Sequence, residues 1–241
     1  MRDPRESVVK LCPTLLRSDL VRLKQETSLT FLRPLLIATA LTAGAAQAGP
    51  VSFSSGWAEQ KLSLFSNNKY SFGNALSMTS DGGVSIAWKR ISQSDWQANR
   101  ASWTWTVEES VPATDLRQKG GDDRNLALYF VFAPDDAAAG LQNANIRQLL
   151  ASDDVRILLY VWGGNYERGT QFQSPYLRGQ GMNVMLRQAG TGSFTENVNL
   201  RADYAKAFGG EPGSLVGLAV SGDSDDTDST IRAAISNMSL T

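Results

Sequence analysis

The sequence predicts a mainly β protein: a two-sheet antiparallel β-sandwich, jelly-roll-like, with one or two short inserted helices. Three observations point there. Seven segments of strand length alternate or run wholly apolar, and clusters of Gly, Asn, Asp and Pro separate them as turns require. Strands and helices do not alternate repeatedly, as a doubly wound parallel sheet would demand, and no repeat of solenoid or propeller length is visible.

Residues 1–48 are set aside first. The apolar stretch "LRPLLIATALTAGAA" (32–46) lies behind Arg33 and runs into "AQA" (46–48), which puts the small residues Ala46 and Ala48 at the two positions that signal peptidase reads, so cleavage before Gly49 is expected. A membrane anchor needs about 20 unbroken apolar residues, and this run is shorter. The reading is a secretory signal, hence a periplasmic or extracellular protein that is soluble after cleavage. Residues 1–30 carry charges of both signs and lengthen the leader beyond the usual about 15–30 residues. A start site placed too early explains this, with translation beginning near Val21 or Leu23 and Lys24 as the positive region; a precursor whose intact mass begins at Met1 excludes it.

The remaining residues, 49–241, suit a single β-sandwich domain with a substantial core. They hold 16 Lys and Arg against 20 Asp and Glu, so no basic surface favours nucleic acid. The one cysteine, Cys12, lies in the leader, and the chain has no histidine. Disulfides, thiol nucleophiles, Ser-His-Asp triads and histidine-based metal sites are thereby excluded from the domain. What is left for chemistry is carboxylates, Tyr, Lys, Arg or a hard cation held by oxygen.

Strands are expected at 84–91, 101–109, 125–133, 155–162, 182–188, 214–222 and 229–240. "NLALYFVFA" (125–133) and "VRILLYVW" (155–162) are apolar on both faces and belong in sheet centres. "DDAAAGLQNANIRQLLAS" (135–152) has helical composition, and "ADYAKAFG" (202–209) reads as a short helix closed by Gly209 and Gly210.

Four features are candidates for function. In "SWTWTV", Trp103, Trp105 and Val107 share one strand face, either as a stacking platform for sugar rings or as core between the sheets. In "YVWGGNYERGTQFQSPY" (160–176) a buried strand runs into a polar loop holding Tyr166, Glu167, Arg168, Gln171 and Tyr176, a ligand site or an ordinary hairpin connection. Asp122, Asp123 and Arg124 stand where a glycine turn leads into a central strand and suit a structural ion pair. Adjacent strand residues point to opposite faces, so the two aspartates make a poor acid/base pair. Finally, "SGDSDDTDST" (221–230) crowds carboxylates into one turn.

The blocks "WTWTV", "KGGDDRNLALYFVF", "LLYVWG", "SPYL", "ADYAKAFG" and "LVGLAVSGDSDDTDSTIRAAISNMSL" stand in one order from about Trp103 to Leu240. In that order the chain resembles the bacterial secreted family called domain of unknown function 3047. The resemblance implies a β-sandwich similar to carbohydrate-binding modules and brings no assigned activity. It singles out Trp103, Trp105, Lys119, Asp122, Asp123, Arg124, Tyr160, Trp162, Pro175, Tyr176, Asp203, Tyr204, Asp223, Asp225 and Thr227. Chemistry sorts Trp162 and Tyr204 to packing, and the aspartates, Arg124 and Tyr176 to function.

The acidic turn is not an EF-hand, since counting from Asp223 puts Asp228 at the sixth position and Ala234 at the twelfth. Asp223, Asp225 and Asp226 suit calcium, whereas a turn that is solvated or paired with Arg and caps its own backbone is the favoured alternative. The leading expectation is a non-catalytic, monomeric binding module for a glycan or other envelope component, with Asp122, Asp123, Arg124, Tyr166, Arg168 and Tyr176 as ligand contacts. The alternatives are a carboxylate-dependent glycan hydrolase or lyase, and a periplasmic structural or protein-interaction domain.

Overall fold

Side-chain alternation on a pleated strand decides most of this architecture. The structure is a computed structural model, and it describes residues 49–62, 67–141, 143–177 and 179–241. The expected signal segment, its cleavage site up to Ala48, and Cys12 lie outside the described residues. In chain order the elements are β1 (Gly49–Pro50), β2 (Trp57–Lys61), β3 (Lys69–Phe72), β4 (Ala75–Asp81), β5 (Val84–Arg90), β6 (Arg100–Glu109), β7 (Arg124–Ala133), α1 (Asp135–Leu141), α2 (Ile146–Ala151), β8 (Arg156–Gly163), β9 (Gln171–Gln173), β10 (Gly181–Arg187), β11 (Gly192–Asn199), α3 (Leu200–Phe208), β12 (Ser214–Asp223) and β13 (Thr230–Leu240).

Two sheets form. One has the order β11-β6-β13-β4-β3, with β1 also paired to β13; the other runs β2-β5-β12-β7-β8-β10-β9. The chain is thus the expected two-sheet sandwich, and β7 lies at the centre of the seven-stranded sheet with β8 beside it. One pairing departs from the antiparallel expectation. β9 runs along the sheet edge, and β10 returns into the gap beside β8, pairing parallel to β8 and antiparallel to β9.

On β6 the alternation is strict: Ala101, Trp103, Trp105 and Val107 are buried, while Ser102, Thr104 and Thr106 face outward. Both indoles are fully buried, edge to face at 5.5 Å, against Phe130, Tyr160 and Trp162 of the opposing sheet. They are core, which removes the sugar-platform reading. On β7 both faces are buried. Leu126, Leu128, Phe130 and Phe132 join the inter-sheet core, and Ala127, Tyr129, Val131 and Ala133 join a second apolar layer on the outer face.

That outer layer exists because the helical insertion packs there. Ala138 of α1 with Ile146 and Leu149 of α2 cover the sheet beside Ile157 and Val161. The sequence suggested one helix over 135–152, whereas the chain makes two. Asn145 restarts the helix with a capping box, accepting from Gln148 N while the Gln148 side chain accepts from Asn145 N. The second expected helix begins slightly earlier, at Leu200, where Asn199 accepts from Ala202 N, and it stops at Gly209 and Gly210, both at positive φ. Among the described residues no helix is long and apolar enough to cross a membrane.

Candidate functional site

Three strand ends meet at one end of the seven-stranded sheet. Arg124, the first residue of β7, is in register with Asp223 at the end of β12 and with Gly163 at the end of β8. A Cβ at residue 163 would lie 2.7 Å from Arg124 Cβ, so the glycine leaves room for that side chain. The turn before β7 passes through Gly120 at φ 72°, a conformation that favours glycine.

Arg124 is nearly buried and organises its surroundings. Its Nη1 donates to Asp122 Oδ2 at 3.0 Å, to the Asp122 carbonyl at 3.0 Å and to Asp223 Oδ2 at 3.3 Å, and its Nη2 donates to Tyr129 Oη at 3.3 Å. Tyr129 in turn shares a hydrogen bond of 3.0 Å with Ser221. On the loop after β9, Tyr176 donates its hydroxyl to the other oxygen of Asp122, Oδ1, at 2.8 Å. Burial opposes the Arg124 charge, but Tyr129, Asp223 and Asp122 outweigh it, and the guanidinium is held protonated more firmly than usual.

Asp123, the neighbour of Asp122, points the other way and is fully buried. It accepts from Asp226 N at 3.2 Å, from Thr227 N at 2.8 Å and from the Thr227 hydroxyl. In return Asp122 N donates to Asp226 Oδ2 at 3.4 Å. The 122–123 and 226–227 segments are thereby latched together. Burial pushes the Asp223 carboxyl up to about 8; Arg124 pulls it down, while Asp225 and Asp122 add to the rise.

Beside this network opens a cavity of about 450 Å³ on the outer face of the sheet. Its apolar lining comes from Val84, Ile86, Leu116, Leu150, Leu159 and Leu177, and its polar lining from Asp122, Arg124, Tyr129, Tyr176, Asn183, Asp223, Asp225 and Asp226. Leu62 and Tyr176, exposed by 53% and 51%, are the large exposed hydrophobic side chains among the described residues, and both stand on this cavity.

Of the six expected ligand contacts, the structure brings Asp122, Arg124 and Tyr176 to this cavity, with Asp123 behind them as a latch. Tyr166 and Arg168 are elsewhere, at a smaller cavity of about 310 Å³ lined also by Trp162, Arg187 and Phe194. Tyr166 donates to Asp115 and packs against Phe172 with ring centroids 4.9 Å apart. Arg168 pairs at 2.8 Å with Glu196, a buried carboxylate that Arg187 also meets at 2.8 Å and to which Trp105 Nε1 donates at 3.2 Å. These two residues brace the sandwich edge. Of the three aspartates expected to hold a cation, Asp223 and Asp225 stand with Asp123, one carboxylate oxygen of each within 4.8 Å of the others. Asp226 instead holds the Asp122 amide.

Residue patterns alone missed Leu62, Ile86, Tyr129, Leu159 and Asn183. Tyr129 was the available signal: a hydroxyl in the middle of an otherwise apolar central strand needs a partner, and its partners are Arg124 and Ser221.

The fold is similar to several solved structures. The xyloglucanase domain of NopAA, a type three effector from Sinorhizobium fredii, is 12% identical, with 80% of this chain and 95% of that chain covered at a TM-score of 0.42. The catalytic domain of Humicola grisea Cel12A is 13% identical, with 82% and 94% covered at 0.38. A xylan-binding module, CBM15, is 10% identical, with 81% and 97% covered at 0.31. No curated protein sequence matches the chain. The family model described as "Protein of unknown function (DUF3047)" matches residues 55–239, most of the sandwich and all of the Arg124 network, and the chain belongs to that family.

Proposed function

We propose that this domain is a non-catalytic binding module whose ligand, a glycan or another hydroxylated component of the cell envelope, sits in the cavity beside Arg124. The carrying observation is the cavity itself. It combines an apolar lining with a fixed polar rim, and the exposed Leu62 and Tyr176 both stand on it. Tyr176 supports the reading in detail: its hydroxyl is tied to Asp122, so half of the side chain is presented to solvent in a set orientation, suited to stacking on a ring. Asp122, Asn183 and Tyr129 offer acceptors and donors to hydroxyl groups.

Binding rather than cleavage is favoured because the two best-placed carboxylates are committed. Asp122 and Asp223 hold one guanidinium nitrogen between them instead of facing each other across open space. One observation favours a hydrolytic reading, the Asp223 carboxyl, which burial and the neighbouring Asp225 and Asp122 push up to about 8 against the pull of Arg124.

Titration calorimetry with neutral, amino-bearing and uronic oligosaccharides tests the proposal. Binding by one class, weakened in Tyr176→Ala, is the expected result, and the same mixtures should show no new reducing ends. Absence of binding by every class contradicts the proposal, and reducing ends lost in Asp223→Asn replace it with the hydrolytic one. The compartment belongs to the same proposal: export through residues 1–48 to the periplasm or beyond, as a soluble monomer, with mature protein beginning at Gly49. A mass spectrum of the exported chain checks that.

A further inference from the structure

The acidic turn after β12 is built into the Arg124 network, and its charges do not balance. Asp122, Asp123, Asp223, Asp225 and Asp226 gather five carboxyl groups in two latched segments. Among the described residues, Arg124 is the one basic side chain in ion-pair contact with any of them, and it reaches only Asp122 and Asp223. Like charges this close repel unless a cation compensates.

A second observation shows where compensation belongs. Asp223 is 7% exposed, and Arg124 meets its Oδ2, yet its Oδ1 is buried without any hydrogen-bond partner. A buried acceptor left bare is costly, and the side chain lines the cavity on which Asp225 also stands. Asp123 has room as well. A carboxylate offers about four lone-pair positions, and Asp123 fills one on Oδ1 with Asp226 N and two on Oδ2 with Thr227, so Oδ1 keeps one free. Asp225 is exposed and stands with both, one oxygen of each of the three lying within 4.8 Å of the others.

We propose that Asp123, Asp223 and Asp225 form a calcium site in which Asp223 divides its two oxygens between Arg124 and the ion. Calcium suits the donor set: it takes 6–8 oxygen ligands in irregular geometry, so three carboxylates from a turn leave positions for water and main-chain carbonyls. Magnesium demands near-octahedral geometry and sheds water reluctantly, which an irregular turn does not satisfy. Asp226 is outside the set because its Oδ2 already serves the Asp122 amide. The ion fixes the turn on the cavity rim, and this inference stands independently of what the cavity binds.

Calorimetric titration of the chelator-treated protein with calcium chloride, and separately with magnesium chloride, tests it together with the unfolding midpoint in each salt. Expected are one calcium bound per chain, a raised midpoint, and loss of both in Asp223→Asn and in Asp225→Asn. Asp226→Asn should keep both. Because Asp225 is exposed, its variant should fold as the parent does, which circular dichroism without calcium checks. The proposal is overturned by a parent protein that gives no calcium heat, by a response that survives both ligand substitutions, or by a response that Asp226→Asn abolishes.

Discussion

The Tyr176 hydroxyl donates to Asp122 Oδ1 at 2.8 Å, so the most exposed aromatic side chain of the described sandwich is anchored to one of its buried acids. The same acid is held on its other oxygen by Arg124. A rim aromatic fixed in this way keeps little freedom to lose on binding, which favours affinity. Tyr176→Ala should leave the fold intact and weaken ligand binding about tenfold, the size of one lost ring contact of about 1.5 kcal/mol. Tyr176→Phe keeps the ring and loses only its tether, so its effect should be smaller. Titration of both variants with the same oligosaccharide decides this.

Arg124 should matter to stability more than any other charged residue. Replacing it with Met leaves Asp122 and Asp223 buried without their cation, and removal of one partner from a buried pair typically costs about 3–5 kcal/mol. Denaturant unfolding should show that loss. An unchanged midpoint would mean that the two acids are solvated in the free protein.

Trp105→Ala should destabilise by about 3–5 kcal/mol while leaving the affinity of the surviving folded protein unchanged, because both faces of the indole are within the inter-sheet core. Loss of binding with full stability retained would return this residue to the ligand site.

How much of this was legible in the sequence depends on where each side chain's partners lie. β6, β7 and β8 could be read directly, since their alternation or double-sided apolarity reflects burial alone. β11 could not, because Glu196 occupies an inward position between Phe194 and Val198. The carboxylate is tolerated there through Trp105, which is 91 residues away, and through two arginines. Asp122, Arg124 and Tyr176 were legible as polar groups at strand and loop ends. Ile86 and Leu159 were not, because an apolar residue on a strand looks the same whether it meets the opposing sheet or a cavity, and Leu62, just past β2, carries no pattern at all. Tyr166 is placed by partners that its own loop does not reveal: its hydroxyl donates to Asp115, 51 residues away, and its ring packs on Phe172 of β9.

Alkaline pH provides a separate check. Burial pushes the Tyr176 phenol up to about 12, with the Asp122 carboxylate adding to the rise, and burial pushes Tyr70 up to about 12 as well. Both folded values lie above the ordinary 10.0. Between these values the unfolded chain releases protons that the folded chain keeps, so the contribution is complete below pH 10 and is lost as pH rises toward 12. Tyrosinate absorbance of the folded protein should therefore rise late, and Tyr176→Phe should remove one late phenol. A Tyr176 that ionises near pH 10 would mean that its hydroxyl is neither buried nor bonded to Asp122 in solution.

The most direct test of the central claim is to map the bound ligand. Backbone amide shifts should be recorded on addition of the oligosaccharide that binds in calorimetry. The account predicts that the largest changes fall at Gly120–Arg124, Ser174–Leu177 and Asp223–Asp226, the three segments that meet at the cavity. Changes confined to Arg168, Arg187 and Glu196, or to the outer face of the six-stranded sheet around Thr104 and Thr195, would contradict it and move the binding site elsewhere on the sandwich.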